Sequence, residues 1–231
     1  MLGKAYGIGV GPGDPKLLTV KALEILAQLK IVFYPSFGKN SIALDIARSH
    51  INPDAKLIEM NVPLFPYKAK VAAYQNFANQ IKEYLENQVD VGVLCEVDPL
   101  FFGSFITIRD LLKKNYQVNV VSGISSIMSA FVHVDDFMGQ GDDIISIITA
   151  GTDERLIKDK ISTSNTTIVI KVAKHLKKIK TIAANLGLLE TAMYISKIDQ
   201  AQQYSDRLDM ISDEVIEYFS IIIIKNPRLN S

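Results

Sequence analysis

The chain has 231 residues, 25 Lys and Arg against 25 Asp and Glu, 48% hydrophobic residues and a single cysteine. A charged fraction of 22% on so apolar a chain argues against intrinsic disorder. Zero formal net charge removes any global pull toward nucleic acid or anionic lipid, and lone Cys95 excludes both an intramolecular disulfide and a cysteine-rich zinc site. No apolar run approaches the roughly 20 residues that a spanning helix needs, and the glycines after Lys4 break up any signal core. The expectation is a cytoplasmic protein with no membrane segment, no metal site and no nucleic-acid partner.

Short β-rich runs alternate with helix-period runs. Ala5–Gly9 reads as a first strand, and Leu17–Leu29 as a helix with apolar residues at Leu18, Ala22, Ile25, Leu26 and Leu29. Strand Ile31–Tyr34 is followed by helix Ser41–Ile51, with Ser41 as its N-cap. Then come strand Leu57–Met60, helix Ala69–Glu86, strand Val89–Cys95, helix Ser104–Lys114 and strand Val118–Val121. Strands separated by helices imply parallel pairing with right-handed crossovers, hence an open parallel α/β sheet. The remainder reads as helix Ser125–Val132, strands Asp143–Thr149 and Thr166–Val172, a helix near His175–Leu186, and strands Thr191–Ile198 and Tyr218–Lys225. Fewer helices between strands point to a mixed sheet. Two α/β domains follow, residues 1–121 and 122–231.

Three loops carry the candidate chemistry, each after a strand of the first half. The run Gly7-Ile8-Gly9-Val10-Gly11-Pro12-Gly13-Asp14-Pro15 is neither a dinucleotide fingerprint, whose third glycine would fall on Pro12, nor a phosphate loop, which needs Gly-Lys-Ser/Thr. It suits either a tight turn or a close ligand approach. Glu96-Val97-Asp98-Pro99 places two carboxylates at a strand end, where Asp98 either meets a ligand or makes an Asx turn ahead of Pro99. Ser122-Gly123-Ile124-Ser125-Ser126 offers hydroxyls for a ligand or for a helix cap. Three such loops along one sheet edge favour a binding crevice.

These residues also carry a family likeness. Gly7–Ala22 (GIGVGPGDPKLLTVKA), Leu94–Phe105 (LCEVDPLFFGSF) and Val121–Ala130 (VSGISSIMSA) resemble the three motifs of the tetrapyrrole methylases, and the resemblance continues through Thr166–Val172 and Tyr218–Ile224. Within that family the Cys-Glu-x-Asp-Pro-Leu-Phe pattern most resembles the C20-methyltransferases of precorrin-2 and cobalt-factor II. The resemblance implies a homodimer of two-domain chains that folds S-adenosylmethionine into the cleft between the domains. It implies cofactor contacts at Pro12, Glu96, Val97, Asp98, Phe101, Ser125, Ser126 and Ile170. It also implies a tetrapyrrole substrate, whose carboxylates call for cations; Lys68, Arg109, Lys174 and His175 are candidates by position. The alternative for Lys171, Lys174, Lys177, Lys178 and Lys180 is a solvated helix face, and it is the favoured one.

Three positions depart from the pattern: Val97 stands for glycine in Gly-Asp-Pro, Ser122 for proline and Ile170 for methionine. If the backbone at Val97 needs a positive φ, a β-branched residue there costs about 1–3 kcal/mol. A sulfonium methyl is already activated, so alignment dominates transfer. A proton must still leave the methylated carbon, and Asp98 and Glu96 are the candidate acceptors. Three readings are open: C20-methylation of precorrin-2 or cobalt-factor II, methylation of another tetrapyrrole position, or a non-catalytic tetrapyrrole-binding homologue weakened by Val97.

Overall fold

Nine elements of the first unit alternate as their hydrophobic periods require: β1 (Ala5–Gly9), α1 (Val20–Leu26), β2 (Ile31–Ser36), α2 (Ile42–Ala47), β3 (Lys56–Asn61), α3 (Tyr67–Glu86), β4 (Val91–Cys95), α4 (Phe105–Leu112) and β5 (Val118–Val121). The structure is a computed structural model that describes residues 1–36, 41–63, 67–215 and 217–229. The chain divides into two units, Met1–Ser125 and Ser126–Ser231.

In the first unit the strands form one sheet in the order β3-β2-β4-β1-β5, every pair parallel. Both faces are covered, so β4 reads as the continuous apolar run Val-Gly-Val-Leu-Cys. On one face Ala22 and Leu26 of α1 and Ala43, Leu44, Ile46 and Ala47 of α2 pack against Ile8, Val32 and Leu94. On the other, Tyr74, Ala78, Ile81 and Leu85 of α3 recur at helical spacing and meet Phe105, Ile108 and Leu112 of α4 over Phe33, Val91 and Val93.

The second unit contains α5 (Ser126–His133), β6 (Ile145–Thr149), α6 (Glu154–Thr163), β7 (Thr166–Ile170), α7 (Leu176–Asn185), β8 (Ala192–Ser196), β9 (Tyr204–Arg207) and β10 (Ser220–Lys225). Its sheet runs β6-β7-β10-β8-β9. Only β6 and β7 pair in parallel, so the sheet is mixed, as expected. Ile221–Ile224 lie in the central strand, each 6% exposed or less.

Three elements differ from the sequence reading. The first helix is shorter: Pro15–Leu17 form a 3-10 turn capped by Asp14, and Thr19 restarts the chain as α1 by accepting from the Ala22 amide at 3.2 Å. Helix α6 buries only Ile157 and Ile161, one i,i+4 pair on an otherwise charged segment, too narrow a stripe to stand out by periodicity. Strand β9 is Tyr-Ser-Asp-Arg, an edge strand without an apolar alternation. The lysines of α7 are also less free than a solvated face implies. Lys178 Nζ donates to the Thr152 carbonyl at 2.9 Å, and Lys180 pairs with Asp213 at 2.8 Å.

Candidate functional site

Parallel strands all end at one sheet edge, and here the connections leave that edge in opposite directions. The chain leaves β1 and β2 toward the α1–α2 face but leaves β4 toward the α3–α4 face. Such a reversal opens a crevice beyond the carboxyl ends of the strands. The loops after β4, β1 and β5, three neighbouring strands, meet there.

Main-chain groups tie these loops together. The Val10 amide donates to the Cys95 carbonyl at 3.0 Å, and Gly11 and Val97 form an isolated antiparallel bridge with N–H···O distances of 3.0 and 3.3 Å. Closing that bridge requires the Val97 backbone at φ 62°, the left-handed region that β-branched residues avoid. The Val97 carbonyl then lies in a slot between two glycines. A Cβ on Gly9 would sit 2.7 Å from its oxygen, and one on Gly123 only 1.9 Å away. No side chain fits at either position, which is why both are glycine.

Asp98 completes the tie with its side chain. Its Oδ1 accepts from the Leu100 amide at 2.9 Å, the Asx turn expected ahead of Pro99, and its Oδ2 accepts from the Gly123 amide at 3.1 Å. One carboxylate thus fastens the β4 loop to the β5 loop. Glu96 is held differently. Its Oε1 is withdrawn from solvent and has no hydrogen-bond partner among the described residues. Burial pushes the carboxyl up from 4.5 to about 7, with its own main-chain amide working in the opposite direction. On the opposite face of β4, burial and then the Glu96 charge push the Cys95 thiol well up, so it stays protonated and inert.

Of the residues singled out in the sequence, Pro12, Glu96, Val97 and Asp98 fall at this junction, and Ser125 follows the Gly123 loop. Phe101 leaves the Asp98 turn, its amide 3.3 Å from the Asp98 carbonyl and its ring edge-on to Phe102 at 5.0 Å. Ser126 and Ile170 belong to the second unit, where Ile170 is buried at the end of β7. Among the cationic candidates, Lys68 is exposed and Arg109 pairs with Asp110 at 3.4 Å. The residue that the sequence reading passed over is Ser36. Its hydroxyl, at the end of β2, is buried without a partner among the described residues. The alternation of β2 carries the signal, a small polar residue on the face of Val32 and Tyr34.

Residues 4–205 match the model of the Tetrapyrrole (Corrin/Porphyrin) Methylases. The chain belongs to the tetrapyrrole methylase family. It is 32% identical over 232 aligned positions to a probable cobalt-precorrin-2 C(20)-methyltransferase of Methanocaldococcus jannaschii, covering 96% of each chain. It is 26% identical to a precorrin-2 C(20)-methyltransferase of Sinorhizobium sp., covering 96% of this chain and 95% of the relative. Among solved structures, a cobalt precorrin-4 methyltransferase superposes with a TM-score of 0.75 at 19% identity, covering 96% and 94% of the two chains. A uroporphyrin-III C-methyltransferase of Thermus thermophilus, in complex with S-adenyl homocysteine, superposes at 0.66 with 17% identity, covering 97% and 98%.

The tetrapyrrole methylases use S-adenosylmethionine, and the junction suits it. Leu100, Phe102 and Ile124 leave apolar surface 49%, 47% and 37% exposed on its loops, a place for the apolar ring face of a nucleoside.

Proposed function

We propose that this tetrapyrrole methylase transfers a methyl group from S-adenosylmethionine to C20 of precorrin-2 or cobalt-factor II, as a cytoplasmic homodimer. The end-to-end match to two relatives that bear C20-methyltransferase names carries this reading. The cofactor, when bound, supplies an electrophilic sulfonium methyl. The chain's own work is then positioning. Pro12, the Glu96–Asp98 turn, Phe101 and Ser125 hold the cofactor on the β4-β1-β5 edge, and the resemblance adds Ser126 and Ile170. A loop junction tied by three main-chain hydrogen bonds and one carboxylate does not yield when a ligand binds, so little is lost to reorganisation and the reactants stay in near-attack geometry.

The valine at the family's glycine position does not prevent the turn from forming: Val97 adopts the positive φ and makes both bonds to Gly11. Its cost is intramolecular strain. Calorimetry with S-adenosylhomocysteine and mass spectrometry of the product from precorrin-2 test the reading together. The expected outcome is saturable binding and a single added methyl at C20. No detectable heat up to millimolar ligand removes the methyltransferase reading, and a methyl at another carbon replaces C20 by that position.

A further inference from the structure

Asp98 and Glu96, two residues apart, both stand at the end of β4, and the structure separates their roles. Both oxygens of Asp98 are occupied by main-chain amides, so that carboxylate is structural. The carboxyl of Glu96 has a buried oxygen with nothing to accept from. A buried acceptor left unanswered is destabilising, a cost without return unless a ligand or a proton fills the place.

The topology gives Glu96 a companion. Strands β2 and β4 are neighbours, and their last rung pairs Phe33 with Val93. Ser36 and Glu96 each lie three residues beyond that rung. Alternation places Ser36 on the face of Val32 and Tyr34, and Glu96 on the face of Leu94, and these three side chains share the α1–α2 core. Two buried, unpartnered oxygens therefore stand at adjacent strand ends on one face. This β2–β4 position lies beside the β4-β1-β5 junction, on the other side of β4. One sheet edge thus carries two subsites, a tied one for the methyl donor and an untied, acceptor-lined one for its reaction partner.

We propose that Glu96 Oε1, with the Ser36 hydroxyl at the end of the neighbouring strand, accepts the proton that the methylated ring carbon releases. This rests on the methyltransferase reading above. The carbon's electron pair forms the new C–C bond as the S–CH3 pair returns to sulfur. The C–H pair at that carbon then returns to the macrocycle, and its proton passes to Glu96. A carboxylate raised toward neutrality is a far better acceptor than an ordinary one and still releases the proton to water afterwards. On its own strand end stand Asp98, tied to amides, and Cys95, on the opposite face of β4. Burial is the larger cause of its shift, and its own main-chain amide works against it.

The test compares wild type with Glu96→Gln, Glu96→Asp and Ser36→Ala. Wild-type single turnover of precorrin-2 should rise with pH and level off above about 7, because the carboxylate form is the acceptor. In the ligand-free protein the 13C resonance of the Glu96 carboxyl should titrate at the same pH. At saturating S-adenosylmethionine, so that any change in cofactor affinity does not enter, Glu96→Gln should lose roughly 10²–10⁴-fold in single-turnover rate together with its pH dependence. Glu96→Asp should recover part of the rate, and Ser36→Ala should lose less than Glu96→Gln. Full turnover by Glu96→Gln, or a Glu96 resonance that titrates in the ordinary carboxylate range, overturns the assignment and leaves the methyltransferase reading standing. A wild-type protein that binds neither reactant overturns both. Should Glu96→Gln fail to fold, agreement between the wild-type pH profile and the resonance decides.

Discussion

In the first unit the turn after β4 reaches a positive φ at Val97 and is locked by main-chain bonds to Gly11, by glycine contacts too close for any side chain, and by one carboxylate between loops. In the second unit the chain also turns left-handed beyond strands, at Lys171 after β7 and at Lys197 and Asp199 after β8, with φ of 57°, 51° and 59°. There main-chain bonds, such as that from the Lys197 amide to the Phe219 carbonyl at 2.8 Å, are joined by long side chains. Lys197 Nζ pairs with Glu217 at 3.0 Å and with the Gln202 amide oxygen at 2.9 Å, and Gln203 accepts from the Asp199 amide at 2.6 Å. Main-chain locks are rigid because their atoms cannot rotate away, whereas side-chain locks adapt and, at a surface, are screened. The first unit therefore has the edge suited to fixing a reactant, and it should tolerate substitution far less.

The strongest way to break this comparison is a pair of glycine-to-alanine substitutions. Gly123→Ala drives a Cβ to 1.9 Å from the Val97 oxygen and to 2.9 Å from Gly9 main-chain atoms, whereas at Gly151, the turn after β6, the nearest atom is His175 Nε2 at 3.8 Å. Gly123→Ala should cost about 3 kcal/mol or more, since the obstacle is main chain and must move as a piece, lowering the unfolding midpoint by roughly 10 °C. It should also abolish S-adenosylhomocysteine binding. Gly151→Ala should stay within about 0.5 kcal/mol. Thermal unfolding of both variants decides, and equal costs would show that the junction yields more than its distances imply.

Asp98 gives the next largest contrast, against Asp153, the N-cap of α6, which accepts from the Arg155 amide at 2.9 Å. An exposed cap removed to alanine costs about 1 kcal/mol. Asp98→Ala frees two amides in two different loops and should cost about 2–3 kcal/mol. Hydrogen exchange at the Gly123 amide should then accelerate by at least tenfold, while the Asp153→Ala effect stays within the first turn of α6. Exchange at Gly123 unchanged in Asp98→Ala would mean that the glycine slot alone holds the loops.

Much of this was legible in the sequence, and the reason is periodicity. Strands buried on both faces announce themselves as β4 and β10 do, and a stripe like Tyr74–Ala78–Ile81–Leu85 marks a helix. The three loops were found because glycine and proline punctuate strand ends. What the chain order does not reveal is a contact between residues far apart in sequence. The slot that Gly9 and Gly123 make for the Val97 carbonyl depends on β1 lying between β4 and β5, an order set by packing. The placement of Ser36 and Glu96 at neighbouring strand ends likewise needs β2 beside β4. Elements stabilised by few apolar contacts, α6 and β9, gave too weak a pattern to detect.

The smallest and sharpest contrast is Val97→Gly against Lys197→Gly, because both remove a side chain from a left-handed residue. Glycine adopts φ near 60° without strain but loses more chain entropy on folding, about 0.5–1 kcal/mol. At Val97 the strain removed is that of a β-branched residue, about 1–3 kcal/mol, and the bonds to Gly11 are main-chain and survive the change. A net gain of about 1 kcal/mol should follow, read as a rise in the unfolding midpoint. Lys197 is unbranched at Cβ, so less strain is released, and its contacts to Glu217 and Gln202 are lost with the side chain. Lys197→Gly should therefore be neutral or destabilising by up to about 1 kcal/mol. If Val97→Gly fails to gain while Lys197→Gly does, the left-handed turn after β4 is held by its valine side chain, and the division between a main-chain edge and a side-chain edge is reversed.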